Sequence, residues 1–278
     1  MAIKITADST CDLTPELLER YDVTLTPLYV TQDGKTYRDG VDIHPADIFA
    51  HVAAGGSLPT TSAVNIADYQ EIFSRYAKEY DAVIHFNIGQ NFSACHQNAV
   101  IAAQDFDNVY VIDSRNLTVG QGILVLEAAE AAARGEKAED IVAMVRDLVD
   151  KVDTTFVVDR LDFLAKGGRC SSVVALGANL LKLKPCIVLS DGKMAVGKKY
   201  RGVFDKVLLD YARDQLEAGD FRTDRAFVVY AACKPETIEA VRQVVAGYGF
   251  REVCVAEAGC TISSHCGPNT LGVLFLKQ

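Results

Sequence analysis

The sequence predicts an α/β protein: a mainly parallel, helix-flanked sheet in the N-terminal half, then an α+β unit with a mixed sheet. Three observations lead there. Short apolar runs alternate with helical stretches up to about residue 150, the pattern of strands crossing over through helices. Beyond residue 153 an Asp191-Gly192 pair joins two extended runs as a hairpin, which introduces an antiparallel component. The chain has 278 residues, 49% of them hydrophobic, which is longer than one compact core usually needs. Two units are therefore expected, 1–152 and 153–278. No Gly/Pro/Ser-rich linker separates them, so they should pack closely.

The elements follow in order. Ile3–Ala7 reads as a strand, and Pro15–Tyr21 as a helix with Thr14 as its N-cap and Pro15 at its first position. Val23–Val30 reads as one strand, ended by the turn residues Asp33-Gly34. Pro45–Ala54 is helical and stops at Gly55-Gly56; Ile66–Tyr80 is a longer helix. Ala82–Asn87 is a continuous apolar run of strand length. Ser93–Gln104 is a helix and Val109–Ile112 a strand. Helices at Gly120–Ala133 and Ala138–Lys151 close the first half. The second half reads as a strand at Thr154–Val158, helices at Leu161–Leu164 and Ser171–Leu181, and the 184–197 hairpin. A helix at Val203–Glu217, a strand at Arg225–Ala231 and a helix at Pro235–Tyr248 follow. Strands at Glu252–Ala256 and Leu271–Leu276 end the chain.

Charge and composition remove several function classes. The net charge is −9, which argues against nucleic acid as a partner, since phosphate neutralisation calls for a basic surface. The N-terminus lacks the apolar core of a signal peptide, and no stretch approaches the roughly 18 apolar residues of a membrane span. A cytoplasmic protein is expected. The eight cysteines should then be thiols rather than disulfides. Cys254, Cys260 and Cys266 with His265 lack the tight ligand pairs of a zinc site, so no metal is expected.

Charge is unevenly placed. Arg160–Arg201 holds nine basic residues against two acidic ones, net +7, leaving −16 elsewhere. Such a window is either a solvated surface or a dock for an acidic protein, phosphate or lipid head group.

Three polar segments are candidates for chemistry. Thr60-Thr61-Ser62 offers adjacent hydroxyls, able to cap the next helix or to bind an anion. Asn87–Ser93 lies between a strand and a helix, at the carboxyl edge of a parallel sheet where ligands bind; Ser93 is also placed to cap that helix. Ser263–Pro268 surrounds His265 with small polar residues, as in a surface turn or a site. No phosphate-binding Gly-rich loop is present.

Six ordered blocks resemble the DegV family over nearly the whole chain. They are Asp8-Ser9-Thr10-Cys11-Asp12-Leu13; Pro27-Leu28 through Tyr37-Arg38-Asp39-Gly40; Thr60-Thr61-Ser62; Asp113-Ser114 with Gly120-Gln121-Gly122; Leu164 to Arg169 with Leu183-Lys184-Pro185; and His265-Cys266-Gly267-Pro268. The resemblance implies a carrier of a long-chain fatty acid, not itself an enzyme, with no cofactor. It implies a tunnel mostly in the N-terminal domain, near the junction, with the C-terminal domain contributing His265. The carboxylate would be met by Thr61, Ser62, Ser93 and His265. Arg169 and Arg201 would lie near the head group or on a surface that docks a fatty acid kinase catalytic subunit, which makes the acyl phosphate. Transient contact with a membrane surface fits the same role. Phe92-Ser93-Ala94-Cys95 departs from the family's Leu-Ser-Gly-Thr, and Gly267-Pro268-Asn269 from its Gly-Pro-Gly, changes that bear on pocket shape.

Elementary energetics allow this. Burying about 16 methylenes at ~0.8 kcal/mol each gains roughly 13 kcal/mol, against several kcal/mol of association cost. The head group is the harder problem, because a desolvated carboxylate is costly unless hydrogen-bonded. The alternative is an esterase or thioesterase using Ser93 and His265 with Asp113 as orienting acid. The chain order fits one hydrolase class, but Asn91-Phe92-Ser93-Ala94-Cys95 is not a G-x-S-x-G elbow.

Overall fold

The computed structural model describes residues 2–170 and 183–278. The helix expected over 171–181 lies outside the described residues. Three sheets organise the rest. The first is fully parallel, in the order β2 (Thr24–Thr26), β1 (Ile3–Asp8), β6 (Ala82–Asn87), β7 (Val109–Asp113). The second is a small antiparallel sheet of β4 (Lys35–Arg38), β3 (Tyr29–Gln32) and β5 (Thr60–Ser62). The third has six strands in the order β10 (Lys193–Tyr200), β9 (Lys184–Ser190), β8 (Val152–Val158), β13 (Thr270–Leu276), β11 (Arg225–Ala231), β12 (Glu252–Glu257). Only its β11–β12 pair is parallel. The α/β class with a mixed C-terminal sheet is as expected.

Local rules explain most boundaries. Thr14 caps α1 (Pro15–Arg20) by accepting from Leu17 N–H. Helices α3 (Ile66–Glu79) and α4 (Cys95–Ala103) cover one face of the parallel sheet, with Phe73, Tyr69 and Ala99 buried between. Helices α5 (Val119–Ala133) and α6 (Ala138–Leu148) cover the other. Helix α5 is buried along most of its length because the six-stranded sheet packs on its far side. That sheet's outer face is covered by α8 (Phe204–Leu216) and α9 (Pro235–Ala246). With helices on one face and the N-terminal half on the other, every residue of β13 is buried.

Three features depart from the sequence pattern. The single strand expected over Val23–Val30 is two strands in two sheets. Pro27 has no N–H to give a ladder, and Leu28 N–H is taken by Ser9 Oγ at 3.1 Å, so the chain changes sheet there. Thr60–Ser62 forms strand β5 rather than a cap; Asn65 caps α3 instead. The polar run around His265 is helical, α10 (Cys260–Cys266), and packs against α2 (Pro45–Ala53), β3, β5 and α7 (Asp162–Gly167). Among the described residues no helix is long and apolar enough to cross a membrane.

Candidate functional site

An apolar cavity of about 260 Å³ lies between the two halves. Its floor is the inner face of the six-stranded sheet. Residues of β8, β13 and β11 that face inward alternate with those that face α8 and α9. Phe156, Gly272 and Val229 stand side by side in register on that floor, with Ala231 and Leu274 beyond them. The opposing wall comes from loops of the N-terminal half: Leu28 after β2, Ile88 and Phe92 after β6, and Leu117-Thr118 before α5. The resemblance had placed the tunnel mostly in the N-terminal unit. In the structure both halves line it, 10 of the 25 lining residues preceding residue 152 and 15 following.

One end is polar and reaches the surface, since its lining residues Ser62 and Arg169 are exposed. Thr61 and His265 meet there, with Ser62 next along β5, and Ser93 is also on the cavity lining. Thr61 Oγ1 lies 2.7 Å from His265 Nε2. Burial holds the His265 ring well below the usual range, to about 4, and the Arg169 charge pushes the same way. The ring is therefore neutral at pH 7 and acts as a hydrogen-bonding group rather than a cation. Among the described residues, His265 Nδ1 and the hydroxyl of Thr261, also on the lining, have no hydrogen-bond partner. Ser93 Oγ accepts from Cys95 N–H at 3.2 Å and donates to Cys95 Sγ at 3.1 Å, so it partly serves the helix start as well. Burial pushes the Cys95 thiol up to about 11, which keeps it protonated.

The sequence blocks now have physical reasons. A Cβ on Gly167 would sit 2.4 Å from His265 Nδ1, so only glycine leaves room for the ring. Gly168 ends α7 at a φ of +69°, a left-handed conformation suited to glycine. Arg169 then stands at the mouth, its guanidinium donating to Gly167 O at 2.7 Å. Arg201 is exposed just past β10 and is not part of the lining.

Residues the sequence did not single out position the wall. Asp8 ends β1 at the point where the parallel sheet reverses its strand order, between β1 and β6, the usual ligand crevice of such sheets. Its carboxylate accepts from Ile88 N–H at 2.8 Å, Asn87 Nδ2 at 3.3 Å and Gln121 Nε2 at 3.0 Å. Burial pushes this carboxyl above its ordinary range, with these bonds opposing the rise. Asp12 Oδ2 accepts from the Thr118 hydroxyl at 2.6 Å. Thr118 is held at a φ of +48°, a conformation costly for a β-branched residue. An acidic residue at the carboxyl end of the first strand was the available signal for Asp8.

The hydrolase arrangement is not assembled. Asp113 Oδ1 is engaged by the N–H groups of Gln90 and Arg115, at 3.1 and 2.9 Å. Its side chain lines a separate surface groove with His96 and Arg146, and His265 faces Thr61 instead. Among the described residues no cluster of three or more His, Cys, Asp or Glu could hold a metal ion.

The fold and this cavity define an α/β protein able to enclose an apolar ligand with one polar end. The chain belongs to the DegV family, whose model, described as an uncharacterised protein family, matches residues 2–278. It is 34% identical to a DegV domain-containing protein of Caldanaerobacter subterraneus subsp. tengcongensis, over 99% of both chains. It superposes on a fatty-acid-binding DegV family protein from Thermus thermophilus with a TM-score of 0.93, at 33% identity and full coverage of both chains. A stearic-acid-binding protein from Eubacterium ventriosum aligns with a TM-score of 0.86 at 28% identity, covering 99% of this chain and 98% of that one.

Proposed function

We propose that this protein carries a long-chain fatty acid, acyl chain in the cavity and carboxylate against Thr61, Ser62, Ser93 and His265. The observation that carries this reading is the pairing of an apolar cavity with a polar mouth built around the Thr61–His265 contact. Hydroxyls and a neutral imidazole satisfy a carboxylate without burying a second charge. The relatives' fatty-acid-binding character supports it. No cofactor takes part, and the chain itself does no chemistry.

In the same reading a separate kinase subunit phosphorylates the presented carboxylate using ATP, in the cytoplasm and with passing contact to a membrane surface. The exposed Lys166, Arg169, Lys193, Lys199 and Arg201 support a docking role, because none makes an ion pair among the described residues. Reversing charge at Arg201, which is exposed and off the lining, should then block acyl-phosphate formation while sparing acyl-chain binding.

The direct test is mass spectrometry of lipid extracted from the purified protein. A long-chain acid in stoichiometric amount is expected. An empty extract, together with no saturable binding of added fatty acid, would refute the carrier.

A further inference from the structure

We propose that Asp39, working with Asp12, is a positioning residue for the head-group site: the two carboxylates clamp the first turn of α10 and so set His265 against Thr61. The inference rests on the fatty-acid reading above.

Helix α10 has seven residues and no side-chain cap of its own. Its first N–H groups need acceptors from elsewhere. Asp12 Oδ1 accepts from Gly259 N–H at 2.9 Å, Asp39 Oδ1 from Cys260 N–H at 2.8 Å, and Asp39 Oδ2 from Thr261 N–H at 3.0 Å. Three consecutive amides are thus held by two buried carboxylates from distant parts of the chain. Negative charge at a helix start is favourable in itself. His265 lies four residues after Thr261, one turn along the same face, so the clamp fixes both the axial position and the rotation of the ring.

The clamp is itself anchored to the wall. Ser9 donates to Asp39 Oδ2 at 3.1 Å while its Oγ accepts from Leu28 N–H, and Asp39 N–H donates to Leu28 O at 2.8 Å. Asp12 also receives the Thr118 hydroxyl. Leu28, Thr118 and His265 line the cavity from three chain segments, and all three are referenced to this carboxylate pair. Neither Asp12 nor Asp39 is part of the lining, so their effect on a ligand must pass through these partners.

The test compares cis-parinaric acid with its methyl ester, titrated by fluorescence into wild type, Asp39→Asn, His265→Ala and the double variant. The amide keeps the shape but cannot accept at both atoms. Asp39→Asn should weaken the acid by about tenfold, as expected for a lost bond to a charged group, and leave the ester within about twofold. In the His265→Ala background the same change should have little further effect on the acid. Equal losses for acid and ester, or additive losses in the double variant, would overturn the positioning role. If Asp39→Asn does not fold, Ser9→Ala, which removes one anchor of the clamp, carries the same comparison with a smaller acid-selective loss. Wild type that binds neither probe would instead remove the fatty-acid reading beneath it.

Discussion

The floor of the cavity and the wall that faces it are made by different physics. The floor is the inner face of β8, β13 and β11, set by the period-two alternation of apolar residues and by ladder hydrogen bonds. The wall is made of loops, and loops have no ladder. Their place is fixed by buried carboxylates: Asp8 holds Ile88, Asp12 holds Thr118, and Asp39 reaches Leu28 through Ser9. Apart from Gly272, where a Cβ would meet Thr155 O at 2.7 Å, the floor gains from well-packed apolar side chains and its composition is tolerant. The wall depends on particular acceptors at particular atoms, and a lost partner leaves a buried donor unsatisfied. Damage to the floor should therefore be felt as stability and as affinity for any apolar ligand. Damage to the mouth should be felt by the acid alone.

The largest expected effect separates the two. Leu274, fully buried on the floor, should cost about 2–5 kcal/mol of folding stability when truncated in Leu274→Ala. Acid and methyl ester affinities should move together. Chemical denaturation and paired titrations check this, and an acid-selective change would erase the distinction between floor and mouth.

Next comes a pH effect at the mouth. His265 is held near 4 when folded, against about 6.5 when unfolded. Between those values the unfolded chain binds the extra proton, so this residue's contribution to stability falls as pH drops from about 6.5 to 4 and is unchanged above that window. The full difference is about 3 kcal/mol. Stability measured against pH for wild type and His265→Asn should show the wild type losing this extra amount. Parallel curves would mean that the ring titrates freely and is not desolvated.

The same contrast decides what could be read from the sequence. The floor was legible, because Arg225–Ala231 and Leu271–Leu276 carry apolar runs of strand length that need no tertiary information. So was Ala82–Asn87. The wall was not. Thr60–Ser62 is too short for a period, and only the register with β3 shows it as a strand. The 260–266 segment is rich in Ser, Thr and Cys, poor helix formers, and is helical because carboxylates more than 200 residues away cap it. Thr61, Ser93 and His265 stood out as polar points in the sequence, but only the resemblance gave them a common role, and all three line the one cavity. Asp8, Asp12 and Asp39 lay inside the quoted blocks, but their role depends on which amides the fold delivers to them.

Smaller effects sharpen the account of the mouth itself. Ser93→Ala removes a hydroxyl on the cavity lining; if the proposed head-group role holds, it should weaken fatty-acid binding by roughly 1–3 kcal/mol. Loss of its bond to Cys95 N–H at the start of α4 costs about 1 kcal/mol in stability. Thr61→Val keeps the shape and the β-propensity of β5 while deleting the contact to His265 Nε2. It should cost about 1 kcal/mol in acid affinity, leave the ester unaffected, and change the imidazole nitrogen shifts of His265 in an NMR spectrum. A Thr61→Val protein with wild-type affinity and an unmoved His265 signal would show that the 2.7 Å contact does not organise the mouth. The head group would then depend on Ser93 and on donors such as the unpartnered Thr261 hydroxyl.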